Sequence, residues 1–597
     1  MFKKIILIAS VFYSISNTPA FSQSIRFERN SLSQRTYDRL HILRLDDSIY
    51  TSSQHNLDRK TAANYFQSIL NSELTISQKE DVLHCLADNM EYNIEQPIEK
   101  SKDSISTSIF RTIDDINSFE NDGSEYTLQD FERKPILKYF YKDKANFYTV
   151  KTPSFQLYLN PVFNLGFTHQ PNYDEYVYQN TRGVEIRAYI DSKLYVYARF
   201  LENQRHFTDF VTVRINKFQA IPGQGSFKGF NSTVTDKLTG YDYFNTVAYL
   251  GFKPIKSINI EFGHDNHFIG DGYRSLLLSN YASNYLYLKL DWNIWKFRYQ
   301  NIFAELSPIS IVQAQDDSVL PRKYSATHYL SFLPNSRFEI GIFESVIFAR
   351  LDRLEFQYLN PVIFYRSVEH SLNSTDNVLI GLNMRWNALK GISIYGQFLM
   401  DEFKLSEVKK ASGWWANKFG YQAGLKYIDA FGIENFDIQI ESNAVRPYTY
   451  THYQPLSENS IYSIASYSNY NQPLAHILGA SFDEKIIILR HRLTKKIRVE
   501  ARGLLAVYGE DKDGKDYGNN ILLNYNNRIS DYGNYIAQGI KNTVKDIGLT
   551  LSYEFRHNYF LDVYGNYRLL TREDVTTKHH SIGFRFRANL EAQEYDY

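Results

Sequence analysis

Apolar and polar side chains alternate along most of the chain between Pro153 and Leu590. The pattern is sharpest around a polar, glycine-punctuated stretch, His264–Asn280. After that stretch, Leu286, Leu288, Leu290 and Trp292 share one face, and Tyr285, Tyr287, Lys289 and Asp291 share the other. Beyond a turn at Trp292–Ile294, Phe297, Tyr299 and Phe303 alternate with Lys296, Arg298 and Gln300. A period of two sets successive side chains on opposite faces of a strand. Here one face is apolar and aromatic while the other carries charges and amides, as in a transmembrane barrel with a wet interior. Segment 182–204 repeats the pattern as a hairpin. Val184, Ile186, Ala188 and Ile190 continue across Asp191-Ser192 into Leu194, Val196, Ala198 and Phe200. The opposite face holds Glu185, Arg187, Tyr189, Lys193, Tyr195, Tyr197 and Arg199.

Roughly 18 runs of about ten residues can be parsed, so the pattern predicts an all-β, antiparallel transmembrane barrel. Short turns are expected at 388–391, 430–432, 493–496 and 556–559. Long connections are expected near 205–242, 265–282, 308–323, 349–375, 403–418, 446–475, 509–545 and 572–578. Short turns are periplasmic and long loops extracellular in outer-membrane barrels. The period changes near the N-terminus. Between about 30 and 95 it is helical, with Ala62, Phe66, Ile69 and Leu70 on one stripe and Val82, Leu86 and Met90 on another. Ser77-Gln78-Lys79-Glu80 reads as a capping box. Residues 1–22 read as a secretory signal, with Lys3 and Lys4, an apolar core from Ile5 to Tyr13, and Ala20-Phe21-Ser22 before the cut. The division is thus a signal peptide (1–22), a small periplasmic helical region with a polar linker (23–130) and the barrel (131–597).

Composition sharpens this picture. The formal charge is zero, from 66 basic and 66 acidic residues, which gives no electrostatic reason for a nucleic-acid partner. Tyr and Phe number 48 and 41, an abundance that suits aromatic girdles at two membrane interfaces. The single cysteine, Cys85, allows neither an internal disulfide nor a Cys-rich metal site, and lies too far from the cleavage site for a lipid anchor. Outer-membrane lipid is the first expected partner.

Candidate chemistry concentrates in the long connections. His264-Asp265-Asn266-His267, with Asp271 behind, invites a metal reading, but histidines three apart on a strand face opposite sides and no HExxH pattern is present. A hydrolase would need an activated serine; Ser275 and Ser279 lie near the histidines with no nucleophile elbow around them. The segment Leu359–His370 is too apolar for a loop in water. It is expected to fold into the barrel mouth as a constriction, with Arg366, Glu369 and His370 toward the lumen, or else to pack on neighbouring loops for stability. Sugar recognition needs aromatic faces and planar polar groups. Tyr273, Arg274 and Tyr281, Trp414 and Trp415, and Arg446, Tyr448, Tyr450, His452 and Tyr453 supply both. The candidate ligand-binding residues are Asp265, His267, Asp271, Tyr273, Arg274, Tyr281, Arg366, Glu369 and His370. No catalytic residue, metal or cofactor is expected.

Several of these segments also carry a likeness. FGHDNHFIGDGYRSLLLS (262–279), YLNPVIFYRSVEHSLNSTDNVLIGLNMRW (358–386), YGQFLMDEF (395–403), VRPYTYTHYQPL (445–456) and NYNQPLAHILGASF (469–482) resemble the capsule-assembly Wzi family. The likeness is nearest to its Bacteroidetes branch, which includes the gliding-motility protein RemB. The resemblance implies an 18-stranded outer-membrane barrel with a periplasmic helical element. It also implies a lectin-like, non-enzymatic role in binding or organising surface polysaccharide, a contribution to gliding, and gliding or surface-export machinery as a partner. The alternatives left by the residues are a channel for a solute or glycan chain, and an embedded hydrolase using His264, Asp265 or His267.

Overall fold

The computed structural model describes residues 25–44, 52–54, 57–70, 72–89, 140–141, 145–191, 193–232, 238–310, 320–350, 354–362, 364–374, 376–457 and 460–596. The expected signal at 1–22, the linker at 96–130, the boundary at 131 and Met90 lie outside them.

Eighteen antiparallel strands form one closed barrel. The first, Phe155–His169, pairs along one edge with Val177–Ile190 and along the other with the last, Val575–Ala588, where Phe163 faces Ala588 and His169 faces Ile582. Closure removes the free edges that an open sheet would present. The alternation read from the sequence is the alternation of the wall: Phe200, Leu286, Leu288, Leu382 and Phe584 are exposed on the outside, and Arg187, Tyr195, Lys289, Asp562 and Arg585 are buried inside. Tight turns at one end join Ile190 to Leu194, Ile294 to Phe297, Leu389 to Ile392 and Arg556 to Tyr559. The long connections gather at the other end. One expected long connection, 572–578, is instead a tight turn in which Arg572 pairs with Val575 across Glu573, whose φ is 51°.

Tyrosine and glycine sit directly opposite each other at Tyr195/Gly251, Tyr395/Gly424 and Tyr564/Gly583. Each ring occupies the space that a Cβ on its glycine would need. Such pairs let a bulky ring lie flat along a strongly curved wall.

The sequence pattern sets the helical region on the periplasmic side but does not show that it packs into the barrel. Helices α1 (Leu32–Ile42), α2 (Arg59–Ile69) and α3 (Ile76–Asp88) are wedged into the short-turn mouth. Tyr37, Leu40, Ala62, Tyr65, Phe66, Val82, Cys85 and Leu86 build a small core that Ile428, from a barrel turn, completes. The capping box begins at Thr75, two residues before the expected Ser77. Thr75 and Gln78 exchange the two bonds, while the Ser77 hydroxyl accepts a hydrogen bond from Asn435 at 2.6 Å. Ser77 stays within α3, but its side chain bonds to the barrel instead of capping the helix.

Helix α3 is fastened to the wall through His84 and Asp88. His84 lies 2.8 Å from Glu554, and Asp88 lies 2.7 Å from His557. Burial opposes a charged His84, but Glu554, Cys85 and Asp88 outweigh it and raise its pKa to about 10. Burial likewise opposes ionisation of Asp88, yet His557 and His84 hold it well below the usual carboxylate range.

Two outcomes follow. Gly424→Ala should destabilise the barrel by about 1–3 kcal/mol, read as a lower denaturant midpoint, while Gly229→Ala, which has open space around it, leaves the midpoint unchanged. The His84 contribution is complete below its unfolded value near ~6.5 and is lost as pH rises through about 10. The Asp88 contribution is complete above ~3.9 and is lost as pH falls below it. Hydrogen exchange of the α3 amides, corrected for intrinsic rates, should therefore be slowest between about pH 4 and 6.5, and His84→Leu should abolish the alkaline limb.

Candidate functional site

The inner face of the barrel is filled by three segments that enter from different directions. The first is the N-terminal segment with its helices. Arg26 pairs with Glu261 at 3.2 Å and with Asp265, and Glu28 pairs with Arg199. Arg29 donates to the carbonyls of Gly272 and Tyr273, both at 2.9 Å. Ser53 reaches Asp271 and Glu339, the latter at 3.0 Å.

The second is the connection 266–284, which dives into the lumen rather than rising from the barrel. A chain buried there must satisfy its own backbone. Inward side chains do this: Gln397 accepts from the Leu276 amide at 2.8 Å, and Tyr450 and Tyr467 donate to the carbonyls of Leu276 and Leu277, each at 2.8 Å. Glu441 accepts from the amides of Tyr273 and Arg274 at 2.6 and 3.0 Å. Leu276, Leu277 and Leu278 then pack with Tyr329, Phe343, Leu379, Leu399 and Val445 into a hydrophobic core inside the barrel.

The third is the C-terminal tail. Asp596 accepts from Tyr273 at 2.8 Å and from Arg274 at 2.9 Å, and pairs with Arg502 at 3.4 Å. Burial opposes its charge, but the two guanidiniums keep it well below the usual carboxylate range. Nothing in the alternation of the strands points to this tail. A cavity of about 670 Å³ remains between the three segments, lined by groups such as Arg26, Glu185, Arg199, Asn280 and Glu500.

The nine residues singled out from the sequence therefore separate into two places. Asp265, His267, Asp271, Tyr273, Arg274 and Tyr281 converge inside the barrel, where most of their polar groups hold the plug, tail and loops together. His267 stacks on Tyr285 and meets the Tyr287 ring edge-on, and Tyr281 accepts from Arg214 at 3.1 Å. His264, by contrast, shares the outward face of Phe262 and contacts the Thr246 carbonyl at 3.0 Å, so the two histidines do not converge. Ser275 and Ser279 donate to the backbone carbonyls of Ile269 and Ala475.

Arg366, Glu369 and His370 lie elsewhere. They belong to α4 (Tyr365–Leu372), which does not constrict the mouth. Tyr358, Tyr365 and Val368 pack on Ala326, Val346, Phe348 and Val378, all on the outer face of the wall. Burying Tyr365 and Val368 on one side leaves Arg366 exposed, paired with Glu369 at 2.5 Å, and leaves His370 exposed beside them.

A further cluster lies at the long-loop end. Trp415 is the centre: Tyr525 lies 4.8 Å away, Trp414 and Tyr448 meet it edge-on at 6.3 and 6.4 Å, and the Arg528 guanidinium covers it at 4.3 Å. Tyr453 and His452 approach Tyr525 at 6.2 and 5.7 Å. Three connections are pinned to one another here, by Trp415 to the Asp531 carbonyl at 2.9 Å and Arg446 to the Asn417 carbonyl at 2.8 Å. Lys418, buried beneath, bonds to Glu402 at 2.8 Å and lies 4.6 Å from the Tyr525 ring. Tyr453, Tyr532 and Tyr535 remain exposed around this ledge. The sequence reading marked Trp414, Trp415, Tyr448, His452 and Tyr453, but missed Tyr525 and Arg528, which come from a connection more than 70 positions later and carry no local signal.

The family model for capsule assembly protein Wzi matches residues 179–581, through nearly all of the barrel wall. The chain belongs to the Wzi capsule-assembly family. Its barrel lies in the outer membrane. No curated protein sequence matches the chain. Among solved structures it is similar to Wzi of Escherichia coli, described as a carbohydrate-binding outer-membrane β-barrel involved in group 1 capsule assembly. That match has 12% identity and a TM-score of 0.52, covering 94% of this chain and 99% of that one. OprD of Pseudomonas aeruginosa matches at 8% identity and a TM-score of 0.38, covering 72% of this chain and 92% of that one. OpdK of the same organism, with vanillate, matches at 8% identity and 0.39, covering 72% and 97%.

The tail contact can be tested directly. Asp596→Ala leaves Arg274 and Arg502 buried without their shared carboxylate and should cost about 3–5 kcal/mol in denaturant stability. The packed core across the lumen predicts that the wild-type barrel shows no steady open conductance in planar bilayers.

Proposed function

We propose that this barrel binds and organises surface polysaccharide at the cell exterior, without covalent chemistry, as part of capsule assembly. The observation that carries this reading is the aromatic and cationic ledge around Trp415, which three separate connections assemble at the long-loop end. Sugar rings present patches of C–H groups that stack on aromatic faces, and their hydroxyl and acidic groups accept hydrogen bonds from planar donors. Trp414, Trp415, Tyr453 and Tyr525 supply the faces, and Arg528 the planar donor. Hydrogen bonds between the connections hold the rings in place before a ligand arrives, which lowers the ordering cost of binding. The orientation of outer-membrane barrels sets this end outside the cell. The carbohydrate-binding relative and the family match support the same reading. The luminal residues Asp265, His267, Asp271, Tyr273, Arg274 and Tyr281 act in it as the frame, because most of their polar groups are spent on internal bonds.

The channel alternative is disfavoured by the core of Leu276, Leu277, Tyr329, Leu399 and Tyr467 across the interior. A contribution to gliding rests on the sequence likeness alone, and loss of colony spreading in a deletion strain that keeps its capsule would support it.

The test is binding of purified barrel to polysaccharide extracted from its own host. A Trp414→Ala/Trp415→Ala variant should lose at least about tenfold in affinity, a loss of ~1.4 kcal/mol. Arg274→Ala/Tyr281→Ala should change stability more than affinity. Binding that follows the second variant and ignores the first would move the site into the lumen, and binding no better than that of an unrelated barrel would sink the lectin reading.

A further inference from the structure

The connection 354–372 is placed where a loop of a membrane barrel is not expected, against the lipid-facing side of the wall. Its contacts fix that side. Glu344 follows Ile340 and Ile342 at alternate positions of one strand, and both isoleucines are exposed on the outer face. His328 precedes the exposed Leu330 by two, and Asn301 follows the exposed Phe297 by four. Three polar side chains therefore point outward at levels where the wall is otherwise apolar, yet all three are buried.

The connection is what buries them. The Glu344 carboxylate accepts from the Tyr365 and Arg366 amides at 2.9 and 3.1 Å, taking the place of a side-chain cap at the start of α4. Asn301 and Tyr299 both donate to the Pro361 carbonyl, Asn301 at 3.4 Å. The Tyr365 ring lies 3.9 Å from the His328 ring. At its base, Arg350 and Tyr358 both bond to Asp376 at 2.7 Å. Backbone inside a bilayer is tolerated only where its polar groups are satisfied, and the wall satisfies the Tyr365 and Arg366 amides and the Pro361 carbonyl.

The exposed side of the connection divides in two: Arg366, Ser367 and His370 of α4 are polar, and the stretch before them carries the apolar groups. Phe356 is 76% exposed, Val362 82% and Phe364 68%, with Leu354 beside them. They extend the belt formed by Leu330, Ile340, Ile342, Leu382 and Met384. A cluster of this kind marks contact with lipid or protein rather than water, and its continuity with the belt favours lipid. We propose that residues 354–362 with Phe364 form a lateral foot embedded in the outer leaflet, with Phe356, Val362 and Phe364 in contact with its acyl chains and the polar face of α4 turned to the headgroups.

The test is spin-label accessibility in vesicles of phosphatidylethanolamine and phosphatidylglycerol. Phe356→Cys and Phe364→Cys are labelled in a Cys85→Ala background and compared with Ile342→Cys on the wall and Tyr532→Cys on an outer connection. The expected result is an oxygen-to-nickel accessibility ratio at both foot positions that matches Ile342→Cys and exceeds Tyr532→Cys. Nickel access equal to that at Tyr532→Cys would show the foot in water and overturn the proposal. Low access to both reagents would show the face covered by protein, such as a second barrel, and would overturn it as well. Glu344→Ala, which removes the cap but leaves the strand intact, should shift the Phe364→Cys label toward the aqueous value.

Discussion

A barrel whose inner face is charged and whose interior excludes most water must match its charges one by one. That constraint organises this molecule. Lys289, Glu261 and Asp291 are buried on the inner wall, and Arg26 of the plug completes their set through Glu261. The same logic pairs Arg39 with Asp437 and Arg492 with Asp81. Breaking one buried pair leaves a charge that neither water nor lipid can reach, which makes such contacts expensive to lose even where their net contribution is modest. Plug, wall and tail are therefore a single electrostatic unit.

The outer wall obeys the rule from the other side. Lipid offers no hydrogen bonds, so the outward Glu344, His328 and Asn301 need a protein cover, and the connection 354–372 provides it. The inward connection 266–284 and this outward one are mirror solutions to one problem. Each carries backbone and apolar side chains away from water, and each is held by wall residues whose polarity looks misplaced until the partner is seen.

With the interior filled, the proposed contact with polysaccharide falls to the long-loop end, where Trp415 and its neighbours stand on connections braced against one another. A rigid floor beneath them fits recognition better than conduction. Chemistry by His264 or His267 has no support in this arrangement, since one histidine faces outward and the other is enclosed by Tyr285 and Tyr287.

The strands were legible because a barrel wall imposes a strictly local rule: every second residue meets lipid, and the period of two survives in the sequence. Leu286 to Ile294 and Val184 to Phe200 were readable in register for that reason, as was the helical period around Phe66 and Val82. The family likeness was legible in the same way, through contiguous segments such as 262–279. What the tertiary structure alone decided is which charge meets which, and on which side a connection folds. Tyr273 and Asp596 are 323 positions apart, and no local periodicity links them. The apolar segment around Pro361 announced that it avoids water, but lumen and lipid are equally dry. Only the outward carboxylate of Glu344, brought beside Tyr365 by the fold, settles that it lies against the membrane face.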